Sequence, residues 1–193
     1  LEIVLITKDN LAGYHRELVE HFILEDKWGR WLGRWTAEEN LHAIALREYM
    51  MATRNVDPNA DEAVRVAHVM RGYRASNYTQ LETLVFMALY ERAHAVFLRT
   101  VEARTEEPAL KQLVGRIAND EERHMKFFDN LVAHCLEHHR DSTIASISRR
   151  APAFPVIGGD ILEYRDNKLR TVADAGIFDQ AAADKVVSAG IVA

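Results

Sequence analysis

Apolar residues recur along this chain in alternating steps of three and four, the spacing that lines one face of an α-helix. From Leu1 to about Asp26 the stripe runs Leu1, Val4, Lys8, Leu11, His15, Leu18, Phe22, which puts Lys8 on the buried side. A second stripe, Trp35, Glu39, His42, Leu46, Tyr49, predicts a helix from about Thr36 to Arg54. The run Asn55-Val56-Asp57-Pro58-Asn59 ends it, because proline disfavours helix at the residue before it. A shorter helix is predicted over Asp61 to Tyr73. A third long segment, Tyr78 to Ala103, carries Leu84, Met87, Glu91, His94 and Leu98 on its stripe. The fourth starts near Pro108, a residue suited to a first helical turn, and runs to about His138. Its stripe is Leu110, Leu113, Ile117, Glu121, His124, Phe128, Leu131, Cys135. Shorter helical pieces are expected at Thr143–Arg149 and Asp160–Ala173, and the Ala-rich tail 177–193 is expected to be poorly ordered. No strand-like alternation competes. Four long amphipathic segments with short or moderate connections predict an all-α, single-domain chain over 1–193: a four-helix bundle with extra peripheral helices.

Composition narrows the function. A net charge of −5 argues against nucleic acid as a partner. Cys135 is the only cysteine, so no disulfide framework exists and a reducing, cytoplasmic compartment is expected. Charges interrupt every apolar stretch well before about 18 residues, so no segment is expected to span a membrane. The opening Leu1-Glu2-Ile3-Val4 does not read as a signal peptide. It lies inside an expected helix and lacks Met, which predicts further residues upstream.

The chemistry sits where polar residues replace apolar ones on the stripes. Glu39-Asn40-Leu41-His42 and Glu121-Glu122-Arg123-His124 share the spacing Glu-x-x-His, which sends a carboxylate and an imidazole from one helix face. Both pairs point inward, and a buried carboxylate is costly unless paired, hydrogen-bonded or metal-bound. Glu91 adds a single carboxylate on the third segment. Two Glu-x-x-His helices plus one Glu from each of two others is the donor pattern of dimetal carboxylate bundles. The first segment offers Lys8 in place of its Glu. Other readings stand beside this one. Glu39 also fits a capping box, Thr36-Ala37-Glu38-Glu39. Glu82 competes with Glu91. His94 is an extra ligand, a neighbour of the ligands or a satisfied core histidine. His15, Cys135 and the His138-His139 pair read as structural or solvated, Trp28, Trp31 and Trp35 as core, and Lys27, Arg30 and Arg34 as a solvated face.

Three blocks carry a family resemblance. Trp35-Thr36-Ala37-Glu38-Glu39-Asn40-Leu41-His42 resembles the W-T-A-E-E-N-R-H motif of the soluble acyl-carrier-protein desaturases. Ile117-Ala118-Asn119-Asp120-Glu121-Glu122-Arg123-His124 resembles their I-A-x-D-E-x-R-H motif, and Tyr90-Glu91-Arg92-Ala93 their Q-E-R-A. The likeness runs from about Leu5 to Ala173 and is strongest to the mycobacterial members. The resemblance implies a ferritin-like di-iron enzyme, usually a homodimer. Such an enzyme introduces a cis double bond into a saturated acyl chain on acyl carrier protein, using O2 and ferredoxin-type electrons. In that scheme Glu39 and Glu121 bridge the irons, Glu91 and His124 serve one and His42 the other. Glu38 and Asp120 orient the ligand histidines. Two positions depart from the family: Lys8 stands where it has a ligand Glu, and His94 where it has a Thr near the O2 side. Lys has no acceptor. The expectation is an acyl-acyl-carrier-protein desaturase; the alternative is a degenerate paralogue in which Lys8 partly replaces one cation, so that the site binds one metal well and a second poorly and serves to bind acyl chains or partners.

Overall fold

The computed structural model describes residues 1–22, 25–72, 78–164 and 167–192. All regular structure among them is helical, and the chain divides into two compact units. The first comprises 1–76 and 157–171, the second 77–156 and 172–193.

In the first unit, α1 (Glu2–Asp9) and α2 (Leu11–His21) replace the single helix expected from Leu1 onward; residues 23 and 24 of that segment lie outside the described residues. The break falls at Asn10, whose side-chain amide hydrogen-bonds the His68 ring, an alternative that Asn offers in competition with the helix ladder. α1 buries Ile3 through Lys8 and packs against α3 (Asp26–Thr53) and α4 (Pro58–Arg71). Helix α3 begins well before the predicted Thr36. Thr36 lies within the helix, its hydroxyl donating to Leu32 O at 2.9 Å, so it is not a cap. The tryptophans therefore belong to α3, with ring centroids 5.6 Å apart (Trp28–Trp31) and 6.3 Å apart (Trp31–Trp35). Asp57 caps α4 by accepting from Asn59 N at 2.9 Å and Ala60 N at 3.4 Å, with Pro58 in the first turn. The predicted end of this helix at Tyr73 lies outside the described residues. The segment from 157 returns against α1. Gly158 sits at φ +79, and a Cβ there would meet Ile3 Cγ2 at 2.5 Å, so only glycine fits. A short 3₁₀ turn (Leu162–Tyr164) and α8 (Lys168–Asp174) follow; residues 165 and 166 are outside the description.

In the second unit, α5 (Gln80–Arg104) and α6 (Pro108–His138) are antiparallel neighbours across a three-residue connection. α7 (Arg140–Arg150) and α9 (Gln180–Val192) also pack on α5, which is why α5 is buried on most sides. Thr79 and Glu82 form the capping box that starts α5, and Glu107 caps α6 through Ala109 N at 3.0 Å and Leu110 N at 2.5 Å. The tail expected to be poorly ordered is instead the helix α9. Phe178, Ala183 and Val186 are buried, and the Phe178 ring lies 5.8 Å from that of Phe97. Its small side chains permit close packing on α5, which composition read as looseness. No helix among the described residues is long and apolar enough to cross a membrane.

Candidate metal centre

Within the second unit, α5 supplies Glu91 and α6 supplies Glu121 and His124. Each offers a ligand atom within 4.8 Å of the others. Glu91 and Glu121 are fully buried and His124 nearly so. His124 Nδ1 lies 3.5 Å from Glu91 Oε2. The i, i+3 spacing on α6 brings Glu121 and His124 to one face, and the antiparallel packing of α5 carries Glu91 to the same place. Two carboxylates and one imidazole at this separation fit iron, manganese or zinc by donor chemistry. The burial of two carboxylates side by side is intelligible if a cation shares the space.

Glu82, the rival of Glu91, has a different task. It accepts from Thr79 N at 2.9 Å in the capping box and from Arg149 Nε at 2.5 Å. The Thr79 backbone N–H and then Arg149 hold its carboxyl below the usual Glu range. His94 is buried on α5, three residues after Glu91, but points its Nδ1–H at Tyr90 O, 2.9 Å away, with the two rings 4.2 Å apart. It is not among the residues whose ligand atoms converge.

Within the first unit, α3 presents Glu39 and His42, both buried, and the capping-box reading of Glu39 falls with the position of Thr36 inside the helix. Lys8 of α1 meets this pair. Its Nζ donates to Glu39 Oε2 at 2.7 Å, while His42 Nδ1–H donates to Glu39 Oε1 at 3.2 Å. The Lys8 side chain is fully buried, so one buried ammonium lies against a buried carboxylate. Glu38 is engaged by Arg34 at 2.8 Å, and Asp120 by Arg123. A further group, His134, Glu137 and His138, converges within 4.8 Å on the exposed end of α6. Its signal in the sequence is the spacing i, i+3, i+4, although His138 on its own reads as structural or solvated.

A helical fold carrying buried carboxylate–imidazole sets of this kind matches known proteins along its whole length. The family model described as fatty acid desaturase matches residues 2–179. A Mycobacterium tuberculosis protein provisionally named acyl-[acyl-carrier-protein] desaturase DesA2 is 65% identical over 192 residues, covering 100% of this chain and 70% of its own. A second protein of that organism, provisionally named acyl-[acyl-carrier-protein] desaturase DesA1, is 31% identical over 183 residues, 91% of this chain and 54% of its own. The X-ray structure of DesA2 superimposes with a TM-score of 0.78, at 50% identity over 97% of this chain and 71% of that one. The chain therefore belongs to the fatty acid desaturase family, and its fold is all-α.

Proposed function

We propose that this chain is an acyl-[acyl-carrier-protein] desaturase domain. In this reading it is one ferritin-like, cytoplasmic domain that works as a homodimer and places a cis double bond in a saturated acyl chain, drawing on O2 and a ferredoxin-type donor. The observation that carries the reading is the convergence of buried Glu91, Glu121 and His124. All three belong to the blocks that resemble desaturase motifs. In this reading Glu39 and His42 supply the rest of the ligand set. Glu38 lies four residues before His42, and Asp120 four before His124, the helical spacing at which a carboxylate can orient an imidazole. A di-iron centre, when bound, supplies the O2 chemistry that removes unactivated hydrogens, which no side chain here can do alone. The chain's own contribution is to exclude water through burial and to fix the carboxylates and imidazoles on their helices.

A second reading keeps the fold and loses part of the reaction. The Lys8–Glu39 contact at 2.7 Å favours it, since an ammonium already occupies one oxygen of a ligand carboxylate. The chain would then bind one metal and serve as an acyl-chain or partner-binding protein.

The test is anaerobic loading with ferrous iron, metal analysis per chain, and single-turnover assay on acyl carrier protein thioesters with O2 and reduced ferredoxin. Two irons and an unsaturated product support the desaturase, with Glu91→Gln and Glu121→Gln each abolishing product. One metal and no product supports the second reading.

A further inference from the structure

We propose that the last turn of α6 carries a second metal site, at the surface, for a divalent transition cation of the zinc, nickel and copper group, held by His134, Glu137 and His138. Positions i, i+3 and i+4 lie on one helix face, and each of the three residues presents a ligand atom within 4.8 Å of the other two. The two imidazoles are arranged alike, with ring centroids 4.2 Å apart and planes 36° from parallel. His138 Nδ1–H donates to His134 O at 3.0 Å, which makes Nε2 the ring atom left for a ligand. A backbone carbonyl holding the far side of an imidazole is the usual support of a metal-ligating histidine.

Charge and position agree with a cation. The group occupies the last turn of α6, which ends at His138, the negative end of the helix dipole. All three side chains are exposed, so an ion can enter without opening the fold. Two imidazoles and one carboxylate suit borderline transition metals and disfavour magnesium and calcium, which prefer all-oxygen sets. Three protein ligands leave a fourth tetrahedral position for water. The site is chemically separate from the carboxylate-rich buried group of Glu91, Glu121 and His124. Cys135 is adjacent in sequence but is absent from the converging set, so the site needs no thiolate.

The experiment is equilibrium titration of the whole chain with Zn²⁺ against a chromogenic chelator, alongside Cu²⁺-induced NMR broadening. The double variant His134→Ala/His138→Ala is expected to lose one zinc equivalent with helicity unchanged, because both side chains are exposed. Each single His variant is expected to weaken that equivalent by about tenfold or more. Broadening by Cu²⁺ is expected to centre on 134–138. The variants Cys135→Ser and Glu121→Gln are expected to keep the surface equivalent, which separates it from the buried centre, and excess Mg²⁺ is expected not to displace it. The proposal is overturned if the double variant binds as many zinc equivalents at the same affinity, or if Cys135→Ser removes the equivalent instead.

Discussion

Lys8 and Glu39 form a fully buried ion pair at 2.7 Å, and such a pair is more costly to break than it is stabilising to form. Removing the ammonium leaves Glu39 a buried carboxyl without that partner, with His42 as a remaining donor. Lys8→Met is expected to lose about 3–5 kcal/mol in urea unfolding without metal, and to recover part of that when Mn²⁺ or Fe²⁺ is added. A variant as stable as the parent in metal-free buffer would show that Glu39 does not depend on Lys8. Lys8→Glu tests the cation-substitute idea from the other side. It is expected to raise the number of irons bound per chain, and an unchanged number would count against that idea.

At the scale of elements, α5 is fixed by its capping box and by the helices laid on it. Thr79→Ala removes the acceptor for Glu82 N and is expected to cost about 1 kcal/mol. Glu82 also links the start of α5 to α7 through Arg149. Its folded carboxyl titrates below the usual Glu range, first because of the Thr79 backbone N–H and next because of Arg149. A depressed acid contributes stability that is complete above the unfolded value and is lost as pH falls through the folded one. The parent should therefore lose stability on the acid side, below the ordinary Glu range, and Glu82→Gln should flatten that limb in a pH series of unfolding midpoints. Two residues before α9, buried Phe178 packs against Phe97 of α5 and anchors the start of the tail. Phe178→Ala is expected to speed amide exchange throughout α9 while α6 exchange stays slow. Equal acceleration in both helices would mean that the tail is part of the core.

Over the whole molecule, the buried carboxylates make stability a function of metal. A ligand at a hundred times its dissociation constant stabilises the folded state by about 2.7 kcal/mol. For a chain of this size that corresponds to a rise in Tm of about 5–10 °C, readable by calorimetry. Glu121→Gln should abolish the part of the rise that belongs to the buried centre. A rise that survives in Glu121→Gln and vanishes in His134→Ala/His138→Ala would trace it to the end of α6 instead.

Much of this architecture was legible in the chain. Helical periodicity located α5 and α6 closely, because long amphipathic helices with Pro and capping signals at their starts carry their own punctuation. The inward position of Glu91, Glu121 and His124 followed from their places on apolar stripes, and the motifs named the family. Tertiary structure decided the rest. The break between α1 and α2 depends on Asn10 reaching His68, a partner 58 residues away that periodicity cannot register. Thr36 was read as a cap because local spacing allowed it, and only the surrounding helix shows its hydroxyl turned back to Leu32. The apolar stripe favours Glu91 over Glu82, and only the fold shows what Glu82 does instead, in the capping box and against Arg149. The tail looked loose because alanine is a weak hydrophobic signal, yet small side chains pack closely when a buried helix such as α5 is there to receive them. By itself the sequence determined the long helices α5 and α6 and the family, and it offered Glu39, His42, Glu91, Glu121 and His124 as candidate ligands. The fold alone decided that Lys8 lies against Glu39 and that Glu91, Glu121 and His124 meet, since both depend on side chains that distant segments bring into register.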